Sequence, residues 1–475
     1  MRLDWYEASP AEFFERNREM LGFDGPVKSM VMVVHELVTN ALDACHFAGV
    51  RPDVRVSISR RGEDVYRIRV VDNGPGIPPD RVPRVFGKFL AGDKFDPVYG
   101  IQSMGQQGIG AAGVALFALM TTGEPVRVWT SVDGEEGWYF EVRPDPAENE
   151  PVVLRRERWR PEGRGTVVEV EVGEVVYEGG RRGPREYLRR LHVANPHARL
   201  SLRDPRGDVH VWAPRYEGLP EPPKVMKPHP HSLDAHRLLR LARRTSRRKV
   251  RTMLVHELSR FSEARLEELE GLLGGSVDLE KDPRELTREE AEAIVRALRE
   301  MEFMRPPSDV VSPIGEEALE AAVKGEGASL VRAVSRDPVP LRDNVIQVEV
   351  CLGYGGVEGD LWRFANRAPL MFGAGGCSIT EAVESVDVGG YGLDEDRLLV
   401  VVNVNSPFVP FSGPSKQAIG SEDVEREVRL ALQEACRRLG REVRRRVRAM
   451  RERRRRSLIE RYRRVAREKA REVLS

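Results

Sequence analysis

Residues 36–43 have the sequence Glu36-Leu-Val-Thr-Asn40-Ala-Leu-Asp43, within a segment that runs from Val27 to Phe47. Apolar residues recur along this segment at steps of three and four, which predicts an amphipathic helix. Glu36, Asn40 and Asp43 are spaced at i, i+4 and i+7, so the helix places them on one face. A carboxylate and a carboxamide one turn apart can activate a water and bind Mg²⁺, which prefers oxygen ligands. Taken alone, such a trio is more often a solvated helix face.

A second motif follows a predicted strand. Residues 64–71 alternate apolar and polar side chains, and the chain then continues as Asp72-Asn-Gly74-Pro-Gly76. A carboxylate at the end of a strand can accept a hydrogen bond from the exocyclic amine of adenine, and the glycines let the backbone approach the base. Alone, this sequence is more often an ordinary tight turn.

The third motif is the glycine loop Gly105-Gln-Gln-Gly108-Ile-Gly110, which an apolar, helix-like run follows. A glycine loop that opens a helix offers free N–H groups and the positive end of the helix dipole to phosphate. It is not the dinucleotide fingerprint, because no βαβ unit frames it and the carboxylate precedes the glycines. Residues 86–104 are predicted to form a lid over the phosphates, in which Lys88 and Lys94 are candidate phosphate contacts.

The fourth motif is Gly165-Thr166, at the start of a predicted strand that extends to Val172. In this order and spacing, the four motifs resemble the Bergerat-type ATP site shared by gyrase, heat-shock chaperones, histidine kinases and MutL. The resemblance implies binding of ATP with Mg²⁺, followed by hydrolysis. Glu36 would be the general base, and Asn40 would supply an oxygen to the metal.

Other segments are similar to the B subunits of archaeal DNA topoisomerase VI. Residues 12–23 resemble the N-terminal strap of that family, and His229-Pro-His-Ser-Leu-Asp234 resembles the start of its helix–two-turns–helix insert. Arg363-Phe-Ala-Asn-Arg-Ala-Pro-Leu370 and the loop from Pro410 to Lys416 resemble its transducer domain. The match extends over nearly the whole chain.

Two positions depart from the pattern of this family. Its Trp-Lys-x-Tyr motif, implicated in DNA contact, is Val388-Gly-Gly-Tyr391 here, without the tryptophan and the lysine. Its basic Lys-Gly-Arg-Arg loop is Gly179-Gly-Arg181-Arg182, which loses the lysine and keeps both arginines. The resemblance therefore implies that Arg181 and Arg182 contact DNA.

The resemblance implies an α+β multidomain fold. A Bergerat-type ATPase α/β sandwich with its strap is expected over residues 1–220, and a helix–two-turns–helix insert over residues 221–310. An α+β transducer is expected over residues 311–420, ending in a long stalk helix over residues 421–475. Within the transducer, the pattern predicts strands over 345–352 and 398–404 and a helix over 361–367.

The resemblance also implies a mechanism. Lys416 would reach from the transducer to the γ-phosphate, and two chains would dimerise through their ATPase domains with exchanged straps. The catalytic residues are then Glu36 and Lys416. The nucleotide-binding candidates are Asn40, Asp43, Asp72, Gly74, Gly76, Asp93, Lys94, Gly105, Gln106, Gln107, Gly108, Ile109, Gly110, Ala111, Ala112, Thr166 and Lys416.

The family works with a partner. We find no convincing DNA-cleaving tyrosine with an acidic metal cluster in the sequence, so strand cutting is expected to come from a partner subunit. The resemblance implies that this partner is the A subunit of an A₂B₂ heterotetramer acting on double-stranded DNA. The chain is then an ATP-hydrolysing subunit of a type II topoisomerase. Two alternatives are a MutL-like or chaperone-like ATP clamp and a DNA-binding scaffold that holds ATP without hydrolysing it. The transducer-like segment disfavours the first, and Glu36 disfavours the second.

Composition adds weaker constraints. The 475 residues allow two to four domains, and the net charge of +1 gives no global argument for nucleic acid. Arginine is concentrated in residues 237–251 and 437–471, where it either contacts DNA or forms a solvated face. The four scattered cysteines predict free thiols. The chain has neither a signal peptide nor an apolar run of about 18 residues, so we expect a cytoplasmic, nucleoid-associated protein without a membrane role.

Overall fold

The structure is a computed structural model that describes residues 9–90, 99–105, 108–341, 344–413 and 416–474. Its helices are α1 (Pro10–Arg16), α2 (Pro26–Phe47), α3 (Val82–Gly87), α4 (Gly110–Thr122), α5 (Pro184–Ala194), α6 (Ala235–Arg244), α7 (Val250–Glu257), α8 (Glu263–Leu273), α9 (Arg288–Glu300), α10 (Glu316–Lys324), α11 (Ser378–Glu384) and α12 (Glu422–Leu474). Its strands are β1 (Asp53–Arg60), β2 (Tyr66–Asp72), β3 (Val126–Ser131), β4 (Gly137–Asp145), β5 (Glu150–Trp159), β6 (Gly165–Val172), β7 (Arg199–Arg203), β8 (Val209–Trp212), β9 (Leu330–Ser335), β10 (Val339–Pro340), β11 (Val345–Tyr354), β12 (Asp360–Ala365), β13 (Ala368–Pro369) and β14 (Leu398–Asn405).

An eight-stranded sheet organises the N-terminal part of the chain, in the order β5-β4-β3-β6-β2-β1-β7-β8. All neighbouring strands in it are antiparallel except β1 and β7. The helices α2, α4 and α5 share one hydrophobic core with the sheet. The predicted helix over 27–47 and the predicted strands over 64–71 and 166–172 are confirmed as α2, β2 and β6. Their periodicity follows from one face being buried against this core.

Four helices, α6 to α9, pack around a small apolar core of their own. Two of them begin at polar caps. The Asp234 side chain accepts the backbone N–H of Arg237, and Thr287 forms a capping box with Glu290. Such caps satisfy N–H groups that have no partner within the helix. The proline-rich residues 219–229 connect these helices to the first sheet without forming a helix or strand of their own.

A second sheet has the order β10-β11-β14-β12-β13, with β9 paired to β11. The helix predicted over residues 361–367 is wrong, because this segment forms β12, parallel to β14, followed by a turn. Trp362 and Phe364 face one apolar core, whereas Leu361 and Ala365 pack in another. A strand that is buried on both faces appears in sequence as a continuous apolar run, which periodicity cannot distinguish from a buried helix.

The last helix, α12, has 53 residues and is about 80 Å long. This confirms the predicted stalk. Its first part packs on the second sheet through apolar residues from Val424 to Val443. Beyond this point the residues up to Arg464 are exposed, so the far half of α12 projects from the body of the molecule.

The four cysteines are free and buried, as predicted. Within the described ranges, no helix is both long enough and apolar enough to cross a bilayer.

Candidate nucleotide site

A cavity of about 270 Å³ extends along α2 between the first sheet and the glycine loop. Its described lining is Glu36, Leu37, Asn40, Ala41, Ala44, Val70, Asp72, Gly76, Ile77, Pro78, Arg81, Val85, Phe86, Gly105, Gly108, Gly110, Ala111, Thr166, Val168 and Lys416. Thus the four motifs meet at one place, together with a lysine from the far end of the chain.

One end of the cavity is apolar with a single carboxylate. Asp72 lies at the end of β2, beside Thr166 at the start of β6, because the two residues pair in the sheet register. Its Oδ1 accepts the backbone N–H groups of Gly74 (2.8 Å) and Thr166 (3.2 Å). These bonds fix the carboxylate and, within the described residues, leave its second oxygen for a ligand. Such an arrangement suits a flat heterocycle with an amino group.

Burial raises the pKa of Asp72 to about 6, although the two backbone donors lower it. The carboxylate is therefore mostly ionised at pH 7 and becomes protonated just below it. Gly76, in the turn that follows, has φ 73°, and a Cβ atom there would overlap the backbone carbonyl of Ser131. Glycine is thus required at this position by both conformation and packing.

The other end of the cavity is polar. Helix α4 begins at Gly110, and within the described residues no side chain caps its first N–H groups. A Cβ atom at Gly110 would overlap Oε2 of Glu36, so the catalytic candidate packs directly against the start of α4. This end combines a carboxylate with uncapped backbone donors, which suits a phosphate group and an attacking water.

The loop before Gly108 is fixed from two sides. Asp43 accepts the backbone N–H groups of Met104 (3.1 Å) and Gly105 (3.3 Å). From the opposite side, the Asn366 side chain donates to the Ser103 carbonyl (2.9 Å). Asp43 is buried and lies outside the described lining of the cavity. The sequence predicts that it contacts the nucleotide, but its position is better suited to holding the loop.

Lys416 lies at the polar end, with its Nζ 3.8 Å from Oε1 of Glu36. Both side chains are at most 10% exposed. The backbone of Lys416 is left-handed (φ 52°), a conformation that costs about 1–3 kcal/mol and has to be held by its surroundings. Next to it, Gln417 accepts the Phe372 N–H (3.1 Å) and contacts the Met32 sulfur on α2 (3.6 Å).

The other predicted residues are not in the described lining of the cavity. Asp93, Lys94, Gln106 and Gln107 fall outside the described residues. Gly74, Ile109 and Ala112 belong to the motifs but are not in the described lining of the cavity.

Three basic candidates also lie away from the cavity. Lys88 is ion-paired with Glu150. Arg181 forms an ion pair with Glu358, in the loop before β12 of the second sheet, and Arg182 is exposed.

Two features were missed from the sequence. Arg81 lines the cavity, and its position just after the Gly-Pro-Gly turn is a local signal that could have indicated this. His35, which directly precedes Glu36, is buried and bonded to Tyr187 on α5 (2.9 Å). No local pattern indicates that pair, because Tyr187 reaches α2 only through the packing of α5.

Two family models match separate parts of the chain. Residues 25–174 match the family model of histidine kinase-, DNA gyrase B- and HSP90-like ATPases. Residues 306–455 match the model of the topoisomerase VI B subunit transducer. The cavity is built mainly from the first region, and Lys416 comes from the second.

Full-length relatives are also similar. The B subunit of type 2 DNA topoisomerase 6 from Pyrococcus horikoshii is 40% identical, covering 91% of this chain and 85% of the relative. The protein of the same name from Methanothermobacter thermautotrophicus is 38% identical over 93% and 87% of the two chains. Among solved structures, the B subunit of DNA gyrase from Myxococcus xanthus is 14% identical with a TM-score of 0.44, covering 90% of this chain and 95% of that one.

Proposed function

Because this chain belongs to the family of type 2 DNA topoisomerase 6 B subunits, we propose that ATP acts in it as a latch that joins two copies. The chain is an ATP-hydrolysing subunit of a type II topoisomerase with an ATP-binding domain of the gyrase B and HSP90 type. The residues that bind and hydrolyse the nucleotide come from both the ATPase domain and the transducer.

One observation carries the proposal, namely the meeting of Glu36 and Lys416 in one cavity, with Nζ and Oε1 3.8 Å apart. A general base and a cation for the γ-phosphate are needed at the same end of a bound triphosphate. Here they come from two different domains. The catalytic end of the cavity is therefore complete only when the transducer is docked on the ATPase domain.

We assign the base of the nucleotide to the apolar end and its phosphates to the polar end. Asp72 accepts the exocyclic amine of adenine with the oxygen that its backbone donors leave available, and Thr166 lies beside it. The N–H groups at the start of α4 and the glycine loop bind the phosphates, because uncapped N–H groups and the helix dipole favour negative charge.

Magnesium fits this donor set. Asn40 lines the cavity, and a Cβ atom at Gly105 would be 3.3 Å from its Oδ1, so the amide oxygen faces the glycine loop. The described residues contain no cluster of three or more His, Cys, Asp or Glu side chains that could hold a metal. Mg²⁺ commonly binds through one or two protein oxygens together with substrate phosphates and waters. Asn40 would hold the ion, which neutralises phosphate charge.

Hydrolysis then needs two residues of this chain. Glu36 accepts a proton from the attacking water, and Lys416 donates to the γ-phosphate as a compact cation. The loop of Lys416 is connected to α2 through Gln417 and Met32, and it leads directly into α12. Loss of the γ-phosphate removes the partner of Lys416 and releases the transducer, as in other switches held by a γ-phosphate.

The assembly is inferred from the family. Two chains dimerise through their ATPase domains with exchanged N-terminal straps, and the A subunit completes an A₂B₂ enzyme that passes double-stranded DNA. The first eight residues lie outside the described ranges. Helix α1 packs on α4 of its own chain, with Ala11 buried and the Ser9 hydroxyl bonded to the Pro146 carbonyl. Arg181 and Arg182 remain candidates for DNA contact, since both side chains are exposed.

Reconstitution tests this function. The chain is co-purified with a candidate A subunit and assayed for relaxation of supercoiled plasmid with ATP, without nucleotide and with a non-hydrolysable analogue. We expect complete relaxation only with ATP and the A subunit together. Relaxation without nucleotide, or no complex with any A subunit of this family, would contradict it.

Asp72→Asn is predicted to weaken ATP binding about 10- to 100-fold. The asparagine amide can present its NH₂ group to the exocyclic amine of adenine, and two donors cannot form a hydrogen bond with each other. Guanine carries an acceptor at this position, so the preference for ATP over GTP should also decrease. Isothermal titration with ATP and GTP analogues measures both effects. Asp204→Asn is the matched control, because Asp204 is a buried aspartate that also accepts backbone N–H groups, but in a turn outside the cavity. Unchanged ATP affinity would exclude Asp72 as the adenine contact.

A further inference from the structure

Behind the catalytic candidate lies a buried pair of side chains that the proposed mechanism does not use. His35 precedes Glu36 on α2, and Tyr187 lies on α5, which packs against α2. Their exposed fractions are 4% and 1%. The Tyr187 hydroxyl is 2.9 Å from Nδ1 of His35, and the two rings meet edge to face.

This contact determines which ring nitrogen of His35 carries the proton. Within the described residues, Nδ1 is the one partner bonded to the Tyr187 hydroxyl, whose own proton would otherwise be buried without an acceptor. The hydroxyl therefore donates to Nδ1, and the neutral imidazole carries its proton on Nε2. Burial lowers the pKa of His35 and Lys416 lowers it further, although the nearby Glu36 and Asp43 raise it, so the ring is neutral.

The Nε2 atom of His35 lies near the carboxylate of Glu36. Nε2 is buried and has no hydrogen-bond partner among the described residues, and its nearest carboxylate oxygen is Oε1 of Glu36 at 4.0 Å. Oε1 also lies 3.8 Å from Nζ of Lys416. A shift of about 1 Å would bring Nε2 within hydrogen-bonding distance, which is close to 3 Å. The second oxygen, Oε2, faces the start of α4.

We propose that His35, held by Tyr187, is a positioning residue that orients the carboxylate of Glu36 for hydrolysis. This rests on the proposed role of Glu36 as general base. The last torsion of a glutamate is broad and roughly two-fold, so its rotamer alone does not fix which oxygen faces the water. A donor at Oε1 fixes it and leaves Oε2 on the side of the phosphates. Once Lys416 is engaged by the γ-phosphate, His35 is the donor that remains at Oε1.

Tyr187→Phe tests this with the smallest change, because it removes one hydroxyl and keeps the ring. Without its donor, His35 can place its proton on Nδ1 and present a lone pair to Glu36. We expect kcat for ATP hydrolysis to fall about 10-fold, as for other misplaced catalytic groups. KM and dimerisation on a non-hydrolysable ATP analogue should stay within about twofold, since nucleotide binding does not use this pair.

Two variants of His35 distinguish removal of the donor from its replacement by another N–H group. His35→Leu removes the donor and should lower kcat at least as much, whereas His35→Gln keeps an N–H group near the position of Nε2 and should restore most of the turnover. Tyr66→Phe is the matched control, since Tyr66 is another buried tyrosine of the same core, at the end of β2 remote from Asp72.

A double-mutant cycle separates positioning from packing. In a Glu36→Gln background, Tyr187→Phe should have no further effect on residual turnover, because the group that it positions is already gone. An equal loss in both backgrounds, or a kcat for Tyr187→Phe within twofold of the unaltered chain, would overturn the proposal. Failure of the underlying mechanism is distinguishable, because Glu36→Gln alone would then retain its turnover.

Discussion

Glu36→Gln is expected to lower the turnover number for ATP by about 10³-fold, while ATP still binds and still joins two chains. The amide has nearly the same shape as the carboxylate and keeps the packing against Gly110, but it cannot accept a proton from water. Steady-state phosphate release measures the turnover, and sedimentation with ATP measures the dimer. Because hydrolysis would release the proposed latch, we expect the ATP-bound dimer to persist longer than in the unaltered chain.

The matched measurement uses a non-hydrolysable analogue. With it, Glu36→Gln and the unaltered chain should dimerise to the same extent, since neither can turn the analogue over. A turnover number within about tenfold of the unaltered chain would remove Glu36 as the general base. In that case another group at the polar end of the cavity would have to activate the water.

Lys416→Ala should also lower ATP hydrolysis strongly, and unlike Glu36→Gln it should affect dimerisation as well. We expect hydrolysis to fall at least about 10²-fold, as when one preorganised donor to a transition-state charge is removed. ATP-driven dimerisation should be lost as well, because the transducer no longer contacts the γ-phosphate. Binding of ATP itself should be largely retained, since Asp72, the glycine loop and the start of α4 are untouched. Calorimetry and sedimentation distinguish binding from dimerisation.

Two comparisons sharpen this result. Lys324→Ala removes an exposed lysine at the end of α10 in the same part of the chain and should leave both properties unchanged. In a Glu36→Gln background, Lys416→Ala should still abolish dimerisation with the analogue. If it does not, Lys416 acts only as the ion-pair partner of Glu36, and the proposed link between nucleotide and transducer is lost.

The placement of Lys416 also bears on how such a latch operates. Its Nζ already lies in the cavity, beside the catalytic candidate and not at a distance from it. Rotation of the Lys416 side chain is enough to move its Nζ from Glu36 to a phosphate at the same end of the cavity. The contacts of Gln417 hold the loop in place, with Lys416 in its left-handed conformation. The larger change would then be the angle of α12, which comes directly after the loop.

Most elements near the site were predictable from sequence, for a local reason. The helix α2 is encoded by its own apolar periodicity, and the spacing of Glu36 and Asn40 fixes their common face without reference to the rest of the molecule. Strand β6, the opening of α4 by a glycine loop and the stalk are encoded by equally local patterns. The one wrong element, the helix predicted over 361–367, is buried on both faces as β12 and therefore shows no diagnostic period.

By itself, then, the sequence determined the ATPase motifs, their order, and the family to which their combination belongs, since each of these depends on neighbouring residues. Only the tertiary structure decided how closely Lys416 lies to Glu36, that Asp43 bonds to a loop behind the cavity, and that Tyr187 bonds to His35. These contacts join residues far apart in the chain, as the 385 positions between Met32 and Gln417 illustrate. Their geometry arises from the docking of two sheets and the packing of α5, and no periodicity within a segment encodes such long-range packing.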